Sequence, residues 1–232
     1  MSLLSIIQNC CRELKIQVTD RVLTSTEENV LALYAALLTE GKHLALRQGS
    51  QQMKIEASHV SLAALNQGDI RTIAPGFDSL IANTFWNRTL NRKLDGVSSP
   101  QEWAELLGRE ISSSFNGVFY LRGNKLLITP IPTAGETLTF EYRTTWWIED
   151  VTLATRKAAF TADDDAPVFP EAIMELGVTW RWLEAQGLDY AERKRDYEIA
   201  IRNFALRGNQ TRATLAPGGM QTRGDYAITE AV

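Results

Sequence analysis

Few residues of this 232-residue chain belong to types and spacings that catalyse a reaction or bind a metal ion. The sequence contains no GxxxxGK phosphate loop, no GxSxG elbow, no HExxH pair and no CxxC pair. His43 and His59 are its only histidines, which argues against a histidine-based triad or a multi-histidine metal site. We therefore expect a protein that is not an enzyme and that has no metal site and no bound cofactor.

Acidic residues offer two alternatives to that expectation. Asp95 and Glu102 form a conceivable carboxylate pair for glycoside hydrolysis, although Glu102 is also explained as the capping residue of a helix. The run Asp163-Asp164-Asp165 could hold a divalent cation, but it lacks the alternating ligands, the glycine and the distal glutamate of an EF-hand. A solvated loop is the favoured interpretation of that run.

One stretch, residues 85–93, has the composition of a surface that binds single-stranded nucleic acid. It combines the aromatic side chains of Phe85 and Trp86 with basic ones at Arg88, Arg92 and Lys93. The chain as a whole is acidic, with 24 basic and 28 acidic residues and a net charge of −4. This balance favours a strand that leads into a solvated turn, and a DNA-binding module remains the alternative.

Composition places the chain among soluble proteins made in the cytosol. No apolar run approaches the length needed to span a bilayer, and residues 1–15 lack the pattern of a signal peptide. Cys10 and Cys11 are the only cysteines, and adjacent thiols hardly form an ordinary disulfide. We expect both to be small core residues on an apolar helix.

Helices are predicted at both ends of the chain. Apolar residues recur at helical spacing from Leu3 to Leu14, and Ser25 with Glu28 resembles a capping box that begins a second helix to about Arg47. Two further helices are predicted within residues 170–207, separated at Gly187, which can adopt the left-handed conformation. Because both pairs carry apolar faces, we expect them to pack on each other.

The middle of the chain, residues 51–148, reads as β-rich. We predict a hairpin from 60–65 and 70–74, a strand over 79–86, and a helix that begins at Ser99-Pro100. A three-stranded meander follows, in which 118–122 and 125–129 flank the Gly123-Asn124 turn and the third strand runs from 137 to about 148. The predicted fold is α+β: an N-terminal helical hairpin (1–50) packed with C-terminal helices (170–207), this β-rich middle with one inserted helix, a long loop (149–169) and an extended C-terminal arm (208–232).

Two features in this outline need partners. Consecutive residues of a strand point to opposite faces, so Trp146 and Trp147 cannot share one core, and one of them must lie under the following loop, under a helix or against another subunit. The arm is polar and glycine-rich, and left alone it is expected to be disordered. Its apolar side chains could become ordered on a partner: Leu215, Met220, Tyr226, Ile228 and Val232.

Four stretches taken in order carry a family resemblance. After the N-terminal helical pair come ALNQGDIRTIAPGFDSL with NTFWNRT and SSPQEWAEL, then FYLRGNKLLITPIPTAGETLTFEYRTTWWI, then DDDAPVFPEAIMELGVTWRWLEAQGLDYAERKRDYEIAI. Together they resemble the head-to-tail adaptor proteins, also called head-completion or tail accessory factors, of tailed double-stranded DNA bacteriophages. The resemblance extends to about residue 207, and none of its motifs is a catalytic signature.

The resemblance implies a structural virion protein at the head-to-tail junction, made in the host cytoplasm. Such adaptors form a ring, usually of twelve subunits, beneath the portal protein, where they extend the DNA channel and present the docking surface for the tail or nozzle protein. Double-stranded DNA passes through without sequence-specific binding, and no membrane is involved. The C-terminal arm is then the expected portal-binding element, unless it is a disordered end without a role. The candidates for contacts between subunits are Trp146, Trp147, Arg156, Asp163, Asp164 and Asp165.

Overall fold

The fold is α+β, as expected from the sequence, with a helical layer beside two larger sheets and one small sheet. The computed structural model describes residues 2–47, 51–108, 117–152 and 155–210. Apolar side chains of the helices form one core, and those of the sheets form two smaller cores. The helical core also takes in Met53, Trp147 and Ile148 from the predicted β-rich region and Phe160 from the predicted loop.

The helical layer contains α1 (Leu3–Glu13), α2 (Glu28–Leu46), α5 (Glu171–Ala185) and α6 (Ala191–Gln210). The C-terminal helix α5 packs against both N-terminal helices, which confirms the expected packing of the two ends of the chain. Its break from α6 lies at Gly187, whose φ of +69° is the left-handed conformation predicted there. The helix α6 extends to Gln210, beyond the predicted boundary at residue 207.

The connection between α1 and α2 differs from a tight hairpin turn. It runs back along α1: the side chain of Gln8 donates to the carbonyl of Thr19 at 2.9 Å, and Val22 reaches the loop beside the N-terminus of α1. The predicted capping box at Ser25 is wrong. The Ser25 hydroxyl accepts the N–H of Glu27, which precedes the helix, and does not cap its first turn. The N-cap residue is Glu27, whose side chain makes no capping hydrogen bond.

A five-stranded sheet is built around β9 (Thr137–Thr144). The whole length of β1 (Lys54–Val60) pairs antiparallel with β9, so the strand predicted to begin at residue 60 ends there instead. The strand predicted over 79–86 is also wrong. It is split because Asn83 adopts a positive φ of 65°. Its two parts both pair with β9, and the remaining strands of the sheet are β3 (Phe77–Leu80), β4 (Trp86–Asn87) and β5 (Arg92–Lys93).

The second sheet has the order β2-β8-β7-β6. The hairpin of β7 (Val118–Arg122) and β8 (Lys125–Thr129) has the predicted bounds, but β9 does not continue it, so the predicted meander is wrong. The open edge of β8 is taken by β2 (Asn66–Asp69), which leaves no place there for β9. The edge strand β6 (Asp95–Gly96) pairs parallel with β7.

Two helices accompany this sheet. The segment predicted as a strand over 70–74 forms the short helix α3 (Ile70–Ile73), because the carboxylate of Asp69 accepts the N–H of Arg71 at 2.8 Å and starts a turn. The helix predicted at Ser99-Pro100 is confirmed as α4 (Pro100–Gly108). Its Trp103 is buried and stacks on Tyr120 of β7, with ring centroids 5.4 Å apart.

The predicted long loop, 149–169, has more structure than expected. It contributes to a three-stranded antiparallel sheet of β10 (Ile148–Glu149), β11 (Arg156–Lys157) and β12 (Ala166–Pro167). These strands are only two residues long, too short to show the alternation from which strands are predicted. The sheet leads directly into α5.

Candidate functional site

The two consecutive tryptophans lie in different surroundings, as expected. Trp147 is buried in the helical core, where its ring lies against Gly41 of α2 and makes an edge contact with Phe160. Its assignment to a contact between subunits is therefore wrong, because the fold of one chain already covers it. Trp146 is half-buried beside Gly76, and part of its surface remains available to a partner.

The three aspartates of the run 163–165 have separate environments. The Asp163 carboxylate accepts the N–H groups of Val22 and Leu23 at 3.1 and 3.0 Å, which ties this loop to the connection before α2. Asp164 is exposed, and Asp165 is 2 % exposed. No group of three or more potential metal ligands occurs among the described residues.

Asp165 is at the centre of a small polar network. It accepts the N–H groups of Thr161 and Ala162 at 2.7 and 3.0 Å, and the ammonium of Lys157, which also contacts Asp150, at 2.9 Å. Burial alone raises the pKa of Asp165, but these hydrogen bonds outweigh it and leave the pKa below its usual value. Because these contacts enclose Asp165 within its own chain, its assignment to a subunit interface is also wrong.

Arg156 is half-buried and donates to the backbone carbonyl of Gln52 at 3.2 Å. Burial lowers the pKa of its guanidinium. Of the predicted interface residues, Trp146, Asp163, Asp164 and Arg156 thus retain exposed surface. The five predicted arm residues, Leu215, Met220, Tyr226, Ile228 and Val232, lie outside the described residues.

The alternative sites take up ordinary structural positions. Asp95 forms an ion pair with Lys93 at 2.8 Å, and Glu102 is exposed in the first turn of α4. In the stretch 85–93, Phe85 is buried between Phe119 and Phe140 and is not free to stack on a base. The guanidinium of Arg88 donates to the Thr139 hydroxyl at 2.7 Å.

Both cysteines are buried and free in the helical core, which confirms the role predicted for them. Burial raises the pKa of Cys10 to about 12, so this thiol is protonated at neutral pH and is a poor nucleophile. Burial also lowers the pKa of His59.

A buried polar cluster in the helical layer was not predicted from the sequence. Glu40 of α2 is fully buried and forms an ion pair with Arg181 of α5 at 2.7 Å, while the hydroxyl of Tyr197 in α6 donates to its other oxygen. Burial and the neighbouring carboxylate raise the pKa of Tyr197, so its hydroxyl stays protonated and acts as a donor. One carboxylate therefore joins three helices.

The spacing of Glu40 could have revealed this cluster. It falls in the apolar stripe of α2, between Leu37 and Leu44, where a charged side chain must be buried by the same packing. A buried carboxylate requires a cation and hydrogen-bond donors, so a partner on another helix was to be expected.

Beside this cluster lies a cavity of about 640 Å³ between the C-terminal end of α2 and the helices α5 and α6. Its wall is predominantly basic, and we call it the basic cavity. The face of Trp180 carries two cations, with Arg181 at 4.5 Å and Lys194 at 5.1 Å from the ring centroid. The basic residues of the wall are His43, Arg47, Arg181, Lys194 and Arg202, and its other titratable residues are Tyr197 and Glu198.

The comparisons with known proteins leave the family open. A scan against models of known families finds no match, and a search of curated protein sequences finds no similar protein. Among the described residues, no helix combines the length and the apolar character needed to cross a membrane.

Proposed function

We propose that this chain is a structural virion protein, the head-to-tail adaptor of a tailed double-stranded DNA bacteriophage. In this role it forms a ring, of twelve copies as in the resembling family, beneath the portal protein. The ring extends the DNA channel and provides the docking surface for the tail or nozzle protein. The observation that carries the proposal is the occurrence, in order, of the four stretches that resemble this family across residues 1–207.

The packing of the chain supports the proposal. The two most specific of these stretches fold as the β7–β8 hairpin with β9 and as the α5–α6 pair. The second stretch packs on the N-terminal helices, so the two ends of the chain form one helical layer.

Exposed apolar side chains at the start of β9 offer surface for assembly. Val60 is 61 % exposed and is paired with Thr137, and Ile131 on the turn before this strand is 59 % exposed. Leu62 and Leu90, on neighbouring connections, are also about half exposed. Burial of such surface between subunits, and of the apolar side chains of the arm against the portal, would supply the free energy of assembly without any chemical step.

Charge is consistent with passage of DNA through the ring. The chain has a net charge of −4, so it does not attract DNA through bulk electrostatics. A channel through which DNA slides needs weak, sequence-independent contacts. The proposed role therefore involves no sequence-specific binding, no cofactor and no catalysis.

The test is the mass of complexes formed with the portal protein of the same phage, measured by light scattering. Full-length chain is expected to join the portal as a ring, whereas a chain that stops after Gln210, the end of α6, is expected to bind at least about tenfold more weakly. A full-length variant with Leu215, Met220, Tyr226 and Ile228 replaced by serine is the matched control for length.

Three outcomes are informative. Loss of binding in both altered chains supports the adaptor role and assigns portal binding to the apolar residues of the arm. Binding by the truncated chain equal to that of the full-length chain contradicts the role of the arm. Failure of the full-length chain to bind the portal contradicts the adaptor role itself.

A further inference from the structure

Charge is distributed unevenly along the helical layer. The basic cavity lies at the C-terminal end of α2, where His43 and Arg47 contribute to its wall. At the other end of α2, exposed carboxylates lie on the connection that precedes the helix. At 1.5 Å per residue, Glu28 and His43 are separated by roughly 22 Å along the helix axis. The two charged regions therefore cannot neutralise each other within one chain.

Among the described residues, several cations of the basic cavity have no carboxylate partner. Arg181 is paired with Glu40, and Lys194 rests on the rings of Trp180 and Tyr190. Among the described residues, neither Arg47, Lys194 nor Arg202 forms an ion pair with a carboxylate. Glu198 is the one exposed acid in the wall. A concave surface with unpaired cations attracts an anionic partner.

The opposite end carries what we call the acidic edge, formed by the segments 20–28 and 163–164. The Asp163 carboxylate holds these segments together through the N–H groups of Val22 and Leu23. Five carboxylates occur in the two segments and only one cation, Arg21. Four of the five belong to exposed residues: Asp20, Glu27, Glu28 and Asp164.

Local effects explain only part of this separation. A helix dipole favours Glu28 at the start of α2 and a cation such as Arg47 at its end. It does not explain Asp20 and Asp164, which lie outside α2, or the two cations that α6 adds to the cavity. Lys194 rests on the rings of Trp180 and Tyr190, but none of these four charged groups forms an ion pair among the described contacts. A role between molecules accounts for charges that are left without a counter-charge.

We propose that the basic cavity receives the acidic edge of a second copy of this chain. Each surface also has one residue of the opposite charge, Glu198 in the cavity wall and Arg21 in the acidic edge, and these two can pair. Glu198 would repel a small doubly charged anion. A volume of about 640 Å³ is in the range that holds a drug-sized ligand and thus admits two or three side chains.

The contact is heterologous, because it joins two different surfaces of the same chain. Heterologous contacts produce a ring when the rotation between subunits closes and an open filament when it does not. The inference rests on the proposed function for its biological setting, since it names one contact between neighbours in the adaptor ring. Its physical basis, self-association through opposite charges, is tested without the portal.

Charge reversal on each surface gives a direct test by sedimentation velocity at low ionic strength. The cavity variant is Lys194→Glu with Arg202→Glu, and the edge variant is Glu27→Lys with Glu28→Lys. Wild-type chain is expected to associate with increasing concentration and to dissociate as salt is added. Each variant alone is expected to associate at least about tenfold more weakly, because like charges now face each other.

Mixing the two variants provides the decisive measurement. The reversed cavity of one then faces the reversed edge of the other, and the native cavity faces the native edge, so association is expected to return. Lys42→Glu and Glu184→Lys, exposed residues outside both surfaces, are controls expected to match wild type. Circular dichroism checks that all variants are folded.

Several outcomes would overturn the proposal. The first is a wild-type chain that stays monomeric at every concentration at low salt. The second is a mixture of the two variants that associates no more strongly than either variant alone. The third is self-association of the control variants that is as weak as that of the charge-reversal variants. Binding of inorganic phosphate to a monomeric wild type would assign the cavity to a free anion instead. If the variants bind the portal in a complete ring, the proposed contact is wrong and the adaptor role stands. If wild-type chain self-associates but does not bind the portal, the proposed contact stands and the adaptor role is wrong.

Discussion

At the scale of single residues, the buried carboxylates determine how the loops and helices are held. Asp165 is 2 % exposed and receives two backbone N–H groups and the ammonium of Lys157. Since the adjacent Asp163 and Asp164 have quite different environments, residue type alone does not distinguish the three. Which of them is buried depends on how the loop folds onto α1, where Leu3 donates to the carbonyl of Asp165 at 2.8 Å.

We predict that Asp165→Asn lowers the free energy of unfolding by about 2 kcal/mol at pH 7. The folded-state pKa of Asp165 lies below its unfolded value, so the stabilisation is present above the unfolded value and is lost as pH falls through the folded one. The difference between wild type and variant should therefore shrink below about pH 4.

Urea unfolding at a series of pH values measures this effect. Asp164→Asn, at the exposed neighbouring position, is the control and should change the free energy of unfolding by less than about 0.5 kcal/mol. A difference between wild type and Asp165→Asn that stays constant down to pH 2 would count against the ionised carboxylate as the stabilising group.

At the scale of secondary-structure elements, close approach sets the contact between α2 and the chain around β10. A methyl group on Gly41 would lie only 2.2 Å from the ring of Trp147, so the glycine makes room for the indole. Glycine lowers the intrinsic stability of α2, and the close packing of Trp147 that it permits offsets this loss. The predicted placement of this tryptophan under a helix is one of three options that the sequence left open.

We predict that Gly41→Ala destabilises the protein by about 1–3 kcal/mol, since the indole must move or the helix must shift. Gly108→Ala is the matched control: the residue is also helical, and an added methyl group meets no atom within 4 Å. There the change should be neutral or stabilising by up to about 1 kcal/mol. Thermal unfolding of the two variants tests the prediction, and equal effects would contradict it.

At the scale of the whole molecule, Glu40 links α2, α5 and α6 through Arg181 and Tyr197. No comparable polar bridge among the described contacts joins these helices to the large sheet, apart from the Arg143 side chain, which donates to the carbonyl of Ala45 at 2.7 Å. We therefore expect the helical layer and the sheets to respond differently to a local change.

Glu40→Gln keeps the shape of the side chain but leaves the partly buried Arg181 without its counter-charge. We predict a loss of about 2 kcal/mol in the free energy of unfolding. Hydrogen exchange should speed up in α2, α5 and α6, while the paired amides of β1 and β9 keep their protection. Glu184→Gln, exposed on α5, is the control. Equal loss of protection from hydrogen exchange in the helical layer and in the sheets would contradict the expectation that the two parts respond differently.

Much of the local structure was accessible from the sequence by itself. The helices at both ends, the break at Gly187, the β7–β8 hairpin with its Gly123-Asn124 turn, and the helix at Pro100 all follow from caps, periodicity and backbone preferences. These signals depend on neighbours along the chain. The α+β class follows from them as well.

Only the tertiary structure decided which strands pair and which polar groups meet. β9 leaves the hairpin before it and joins β1 because strand edges are chosen by long-range packing, and two-residue strands such as β10–β12 have no pattern to read. The Glu40 cluster, the basic cavity and its distance from the acidic edge likewise depend on residues far apart in sequence. Their side chains are brought together, or kept apart, only when the two ends of the chain pack into one layer.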